Sequence, residues 1–291
     1  MVRTSLFFGA AVIATAIVAC SQSQNACTSS APLTVCAGSS TLKGVDVSSY
    51  QGAIDWTQVK AAGIVFAFAR VSDGTSFPDA DFATNWKAMK AQGVVRGVYQ
   101  YFEPGVDPTA QANLLLSSVS AAGGFEAGDL PPVMDIETTG GQSTTTIQTH
   151  MKTWLAAIEN AVGRKPLIYT SPGFGSNIGT GFGAYPLWVA NWGVTCPSMP
   201  GGWSTWVFWQ TADNGTVKGI SGPVDLDEFN GKLADLTAFG LPATTSSDGG
   251  VGDGGGLEAG VSDGGTGHDA SPDASPDAAV GTDGGVNPCG P

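Results

Sequence analysis

Two carboxylates one residue apart, Asp135 and Glu137, follow the apolar run 130–134. That run should form a buried strand, and residues i and i+2 of a strand point to the same face. Two acids held close in a poorly hydrated cleft raise each other's proton affinity, so one can stay protonated near neutral pH while the other stays charged. This suits cleavage of a glycosidic bond, whose leaving oxygen needs a proton and whose oxocarbenium-like centre needs a negative neighbour. Taken alone, the Asp-x-Glu pattern at 135–137 is a weak signal, because two acids on a loop or two ligands of a metal site can show the same spacing.

The elements that must position these acids lie between residues 43 and 240, as short runs rich in β-branched and aromatic residues. Eight strands are predicted, at 44–47, 64–71, 94–102, 132–137, 166–170, 186–191, 205–210 and 224–229. Helical patterns at 55–62, 79–92, 108–122 and 144–162 separate the first five strands, which favours parallel pairing. Segments 171–185, 192–204 and 211–223 are rich in Gly, Pro, Ser, Asn and Thr, and are typical of loops. The sequence therefore predicts an α/β fold, an irregular TIM-like (β/α) barrel with eight strands and a helix-poor second half.

Functional residues of such barrels gather at the carboxyl ends of the strands. The ends of the first and last predicted strands carry Asp46 and Asp225, and these strands adjoin when the barrel closes. Both acids are therefore expected beside Asp135 and Glu137. Sugar rings pack on aromatic rings and hydrogen bond to polar side chains, so the expected substrate contacts are Tyr99, Tyr101, Tyr169, Trp188, Asn191, Trp209 and Gln210. For Trp188 and Trp209, a place in the barrel core is an equally good interpretation.

Eight ordered sequence blocks resemble one known family. They are GVDVSSYQGAIDW, FAFARVSDG, GVYQYF, PPVMDIE, PLIYTSPGF, LWVANWG, VFWQTADNG and VDLDEFNG. In this order they are similar to the glycoside hydrolase family 25 lysozymes, over about residues 43–240. The resemblance implies hydrolysis of the β-1,4 bond between N-acetylmuramic acid and N-acetylglucosamine in peptidoglycan. It also implies an irregular barrel with few helices, which agrees with the strand count.

Carried over residue by residue, the resemblance assigns roles to the four acids. Glu137 matches the family's general acid, and Asp135 matches the carboxylate that supports the reaction centre. Asp46 and Asp225 match the other two acids, which would orient water, substrate or the acid pair. Asp227 follows closely, and strand alternation would put it on the same side as Asp225. Two alternatives to a muramidase stay open: a chitinase-like glycosidase, and a non-catalytic lectin that binds the cell wall on the same barrel.

Composition excludes several other functions. The chain is acidic, with a net charge of −13, and has no basic cluster, so we expect no nucleic-acid partner. Its two histidines, His150 and His268, lie on a predicted helix and near the carboxyl terminus, so a His-dependent triad or a multi-His zinc site is not expected. We expect no cofactor, no metal, and a monomer whose partner is the peptidoglycan glycan strand.

The amino terminus predicts export. Residues 1–20 run from Arg3 through an apolar stretch to Ala19, as in a secretory signal peptide. The sequence IVAC ending at Cys20 resembles the bacterial lipobox, which predicts a lipid anchor on Cys20 and a cell-envelope lipoprotein of the outer membrane or cell surface. The alternative is an ordinary signal peptide with an incidental cysteine and an extracellular protein. Any membrane contact is expected through the lipid alone.

Two further segments flank the predicted catalytic domain at 43–241. Residues 21–42 are predicted to form a flexible tether. Residues 242–291, rich in Gly, Asp, Ser, Pro and Ala, are predicted to form a disordered tail. That tail holds eight acidic residues and no Lys or Arg, so it accounts for most of the net charge.

Lipid on Cys20 leaves four possible disulfide partners, Cys27, Cys36, Cys196 and Cys289. Three pairings are possible, of which proximity weakly favours Cys27 with Cys36.

Overall fold

The computed structural model describes residues 32–242. Its strands are β1 (Thr41–Val47), β2 (Phe66–Asp73), β3 (Phe77–Pro78), β4 (Val95–Tyr101), β5 (Val133–Asp135), β6 (Leu167–Thr170), β7 (Leu187–Ala190), β8 (Phe208–Gly215) and β9 (Val224–Asn230). Its helices are α1 (Trp56–Ala61), α2 (Phe82–Ala91), α3 (Pro108–Ala121), α4 (Thr144–Val162), α5 (Gly175–Ile178) and α6 (Leu233–Phe239). Across this described range, none of the helices is long and apolar enough to cross a membrane.

Eight of the strands close into a barrel, as the sequence predicted. They pair in the order β1, β9, β8, β7, β6, β5, β4, β2, and β1 closes the ring by pairing in parallel with β2. The short β3 pairs with β2 in antiparallel fashion outside the ring. Seven barrel strands run in parallel, but β9 is antiparallel to both β1 and β8. The reason is the short connection from β8 to β9, which makes a hairpin and not a helical crossover.

Aromatic rings fill the interior of the barrel. Phe66 and Phe68 alternate with small outward residues on β2, and both meet Phe208 of β8, with ring centroids 5.0 and 5.2 Å apart. Glycines on the neighbouring strands leave room for these rings. A Cβ atom at Gly44 would lie 2.3 Å from the Phe66 ring, and one at Gly97 would lie 2.4 Å from the Phe68 ring. These glycines are therefore required by close packing.

The helices cover the outside of the regular half. The longest, α4, has the bounds that its apolar spacing predicted. It begins after Ser143, whose hydroxyl accepts from the Thr146 amide, and it ends at Gly163 in the left-handed conformation. Its buried face, at 0–1% exposure, consists of Ile147, Met151, Trp154, Leu155 and Ile158. The Trp154 indole also donates to Gln100 Oε1 at 2.7 Å, which fastens α4 to β4.

The segment before β1 corrects the expected tether at 21–42, whose first part lies outside the described residues. The part from residue 32 onward is fastened to the barrel. A disulfide joins Cys36 to Cys196, so the weak preference for Cys27 with Cys36 was wrong. Nearby, Val35 accepts a hydrogen bond from the Trp206 indole at 2.7 Å, and Thr34 bridges to Ser198.

The second half contains more regular structure than predicted. The expected loop at 171–185 holds the one-turn helix α5, and the expected loop at 211–223 begins with a continuation of β8 to residue 215. The helix α6 was not predicted. These are short elements, and their stability comes from packing, which single-sequence periodicity does not register.

Candidate active site

Four carboxyl groups meet at one end of the barrel. Asp46 lies near the end of β1, and Asp135 is the last residue of β5, with Glu137 two positions beyond it. Asp225 faces Asp46 in the register between β1 and β9. Electrostatic interactions connect Asp46 with Asp225, and Asp135 with both Glu137 and Asp46. Because β9 runs against its neighbours, Asp225 lies at the amino end of its strand, which corrects the expectation that it lies at a carboxyl end.

The pair of Asp135 and Glu137 binds protons more tightly than ordinary carboxyl groups. Asp135 is 6% exposed, and its burial, together with the charge of Glu137, raises its pKa well above the usual range. Glu137 is exposed at this open end of the barrel, called the mouth below, yet desolvation by the surrounding protein atoms still raises its pKa, while its hydrogen bond with Asp135 opposes this rise. The two groups interact directly, so their titrations belong to the pair. The pair can therefore hold one proton and one negative charge together.

Asp46 is buried on the other side of the mouth. Its burial raises its pKa to about 6, although hydrogen bonding, foremost from Gln210, opposes this rise. The Gln210 amide donates to Asp46 Oδ2 at 2.8 Å. The positive charge of Arg70 on β2 favours the ionised forms of both Asp46 and Asp135. Asp46 is thus expected to ionise in the mildly acidic range.

Gln210 has a fixed orientation. Its Oε1 atom accepts one hydrogen bond from the Tyr169 hydroxyl and another from the Trp192 indole, both at 2.8 Å. Two donors at the oxygen leave the amide nitrogen to donate to Asp46. Gln210 is buried, so the structure places it behind Asp46 and not at the substrate surface.

The three expected tyrosines lie among the acids. Tyr99 and Tyr101 share one face of β4 and are partly exposed, which makes them available to a ligand in the mouth. Tyr169 is buried and is engaged with Gln210. Burial and the nearby carboxylates raise the pKa of all three phenols. They therefore act as neutral hydroxyl groups over the physiological pH range.

The structure does not bring the other expected contacts to the mouth. Trp188 is 1% exposed and forms part of the barrel floor, stacked on Phe68 at 4.6 Å. Trp209 precedes the inward-facing Gln210, so strand alternation turns it outward, where it packs on Trp206. The Asn191 side chain accepts from the Ser198 amide at 2.9 Å and shapes the loop after β7.

Three residues of this end had no assigned role in the sequence. Arg70 donates to Asp79 Oδ2 at 3.1 Å and lies 5.0 Å from the Tyr50 ring, which holds its charge at the rim. Trp192 fixes Gln210, as described above. Asp227 is buried beside Asp46 and Asp225. Its position two residues from Asp225 was the available signal, since a strand repeats its facing every second residue.

The chemistry of this end is that of proton donation beside a negative charge. No group of three or more His, Cys, Asp or Glu residues within 32–242 is arranged to hold a metal ion. A cavity of about 440 Å³ lies at the opposite end, before β6, β7 and β8, and none of the four acids lines it. The residues present can protonate a leaving oxygen and stabilise a developing positive charge.

Comparison with known proteins gives consistent matches. The family model described as "Glycosyl hydrolases family 25" matches residues 45–220. "Lysozyme M1" of Streptomyces globisporus is 36% identical over 216 residues, covering 70% of this chain and 72% of that protein. "Uncharacterized protein YegX" of Escherichia coli K12 is 38% identical over 205 residues, covering 68% and 73%. The crystal structure of a bacterial lysozyme from Streptomyces coelicolor superposes with a TM-score of 0.65 at 36% identity, covering 70% of this chain and 98% of that one.

Proposed function

The chain belongs to glycosyl hydrolase family 25 and is a glycoside hydrolase, and on this premise we propose that it is a muramidase. Its substrate is the β-1,4 bond between N-acetylmuramic acid and N-acetylglucosamine in peptidoglycan. One observation carries the proposal: the directly interacting carboxyl pair of Asp135 and Glu137 lies at the open end of the barrel and has raised pKa values. The similarity to lysozymes supports the choice of substrate.

In the proposed mechanism, Glu137 gives its proton to the glycosidic oxygen as the bond from that oxygen to the anomeric carbon breaks. The positive charge that develops on the sugar is stabilised by Asp135, either directly or through the substrate's own 2-acetamido group. Water then adds at the anomeric carbon and loses a proton to a carboxylate, which leaves a reducing sugar. Asp46 and Asp225 orient the water, the substrate or the acid pair. Tyr99 and Tyr101 are available to hold the glycan.

The test is digestion of purified peptidoglycan by the full chain, with the products identified by mass and by their reducing end. Muropeptides ending in reducing N-acetylmuramic acid are the expected result. Products ending in reducing N-acetylglucosamine would contradict the bond assignment. Hydrolysis of chitin oligomers without release of muropeptides would favour a chitinase-like enzyme. Binding without turnover would favour a lectin.

We also propose that the protein is exported and anchored by lipid on Cys20, after a signal peptide at 1–20. Cys20 lies outside the described residues, and the sequence IVAC supports the proposal. Export would bring a monomeric enzyme to its wall substrate. The test is fractionation of cells expressing Cys20→Ala, which should release the mature protein from the membrane fraction. Retention of that variant in the membrane fraction would contradict lipid anchoring.

A further inference from the structure

Asp227 is a buried acid that the proposed mechanism does not use. It lies on β9, two residues after Asp225, and is 2% exposed. Its neighbours in the sheet are Gly44 on β1 and Gln210 on β8. The carboxyl group therefore sits beneath the catalytic mouth, between the strand that carries Asp46 and the strand that carries Gln210.

The surroundings of Asp227 disfavour a negative charge. Its Oδ1 atom accepts a hydrogen bond from the Trp188 indole at 2.9 Å. Its Oδ2 atom is buried and receives no hydrogen bond from an N–H group or hydroxyl of the described residues. The carboxyl groups of Asp227 and Asp46 can share a hydrogen bond only if one of them carries a proton. The groups that face it are the indole from β7, Asp46 from β1 and Asp225 on its own strand. An ionised Asp227 would place a bare anionic oxygen in a dry site beside two further carboxylates, which is a costly arrangement.

The Trp188 indole, which Asp227 holds, connects to the groups around Asp46. The indole stacks on Phe68 at 4.6 Å and meets the Tyr169 ring edge-on at 4.8 Å. Tyr169 in turn donates to Gln210, which donates to Asp46. Holding the indole nitrogen therefore fixes the ring on which Tyr169 rests, and through it the amide that orients Asp46.

We infer that Asp227 is a positioning residue that works as a neutral carboxylic acid: one oxygen holds Trp188, and the protonated oxygen lies beside Asp46. In this arrangement Asp227 adds no negative charge beside Asp46. The inference rests on the proposed function for its catalytic consequence. The protonation state of Asp227 itself does not depend on that function. Burial and the two neighbouring acids also raise its pKa well above the usual range.

The first test compares Asp227→Leu with Asp227→Asn in the full chain. Leucine removes the acceptor for the indole, so kcat should fall at least tenfold, with a shifted acid limb of the pH profile. Asparagine has the same shape and no charge, so it should restore kcat to within about fivefold of the wild type. A hundredfold loss in a folded Asp227→Asn variant would overturn the inference, because it would show that the charge is needed. If the leucine variant does not fold, the asparagine variant still decides.

The second test does not need activity. Carboxyl ¹³C NMR of the folded protein, with the Asp227 signal assigned from its absence in Asp227→Asn, should show Asp227 still protonated well above the pH at which an ordinary Asp side chain ionises. Titration of that signal near the ordinary Asp value of about 4 would overturn the inference. Because this measurement is made without substrate, it separates a failure of the inference from a failure of the muramidase proposal.

Discussion

The interior of the barrel has two layers that differ sharply although the same strands build both. The lower layer is aromatic, with Phe66, Phe68 and Phe208 in mutual contact. The upper layer is acidic. A step of two residues separates them along β1 and β5, since Gly44 precedes Asp46 and Val133 precedes Asp135 on the same face of the strand. A single alternation pattern thus places carboxylates directly above a dry floor.

This difference explains the electrostatics of the mouth. The aromatic layer excludes water from beneath the acids, and desolvation is the largest cause of the raised pKa of Asp46, Asp135 and Glu137. The aromatic layer stabilises the fold by burial. The acidic layer destabilises it at neutral pH, because ionised groups are held where water is scarce. The packing that stabilises the fold and the acids of the proposed mechanism therefore lie in adjacent layers.

The largest effect is expected from the acidic layer. Glu137→Gln removes the proposed donor, so kcat on peptidoglycan should fall by a factor of about 10²–10⁴, with little change in the free energy of unfolding. Glu228→Gln is the matched control, because Glu228 follows Asp227 on β9 and strand alternation turns it away from the mouth. Equal turnover by Glu137→Gln and the wild type would remove Glu137 from its role.

The next effect is expected from the aromatic layer. Phe208 is fully buried and contacts three other phenylalanine rings at 5.0 to 5.2 Å. Phe208→Ala should lower the free energy of unfolding by about 3–5 kcal/mol, because it removes buried contacts and leaves a cavity. Denaturant unfolding followed by tryptophan fluorescence measures this. A loss below about 1 kcal/mol would mean that the floor is not a closely packed layer.

A smaller effect of opposite sign separates the layers most clearly. The pKa of Asp46 is raised to about 6 in the folded protein, from an ordinary value of 3.8. The stabilising contribution of this group is thus fully present below pH 3.8 and is lost as the pH rises through about 6. Asp46→Asn should therefore stabilise the fold at pH 7 by about 1–3 kcal/mol, while reducing turnover. Thermal unfolding of both proteins at pH 4 and pH 7 tests this, and a destabilised variant at pH 7 would contradict it.

Periodicity in the sequence was sufficient for the barrel and for placing Asp46, Asp135 and Glu137 at the carboxyl ends of their strands, but not for the direction of the strand that carries Asp225. The helix α4 and the eight barrel strands follow from apolar spacing, and the acids lie where strands meet the mouth. Which side chains of a strand point into the barrel was harder to predict. Trp209 and Gln210 were both expected at the substrate, yet adjacent strand residues face opposite sides, and only pairing with β7 and β9 determines which one is inside.

Contacts between distant segments could not be predicted from the sequence. The Cys36–Cys196 disulfide joins residues 160 positions apart, so sequence proximity was the wrong guide. The hydrogen bonds that fix Gln210 come from Tyr169 and Trp192, on separate segments. The reversed direction of β9, which brings the start of that strand to the mouth, depends on a hairpin that the Gly-rich sequence 211–223 did not reveal.

The most direct test of this explanation is the pH dependence of kcat/KM on peptidoglycan. We predict a bell-shaped profile, with an acid limb near pH 6 from the ionisation of Asp46 and an alkaline limb where the pair of Asp135 and Glu137 loses its proton. The alkaline limb should lie well above the ordinary carboxyl range of about 4, and it should disappear from the residual activity of Glu137→Gln. A profile in which both limbs lie near pH 4, or in which Glu137→Gln retains the alkaline limb, would contradict the claim that the dry aromatic layer keeps the catalytic proton in place.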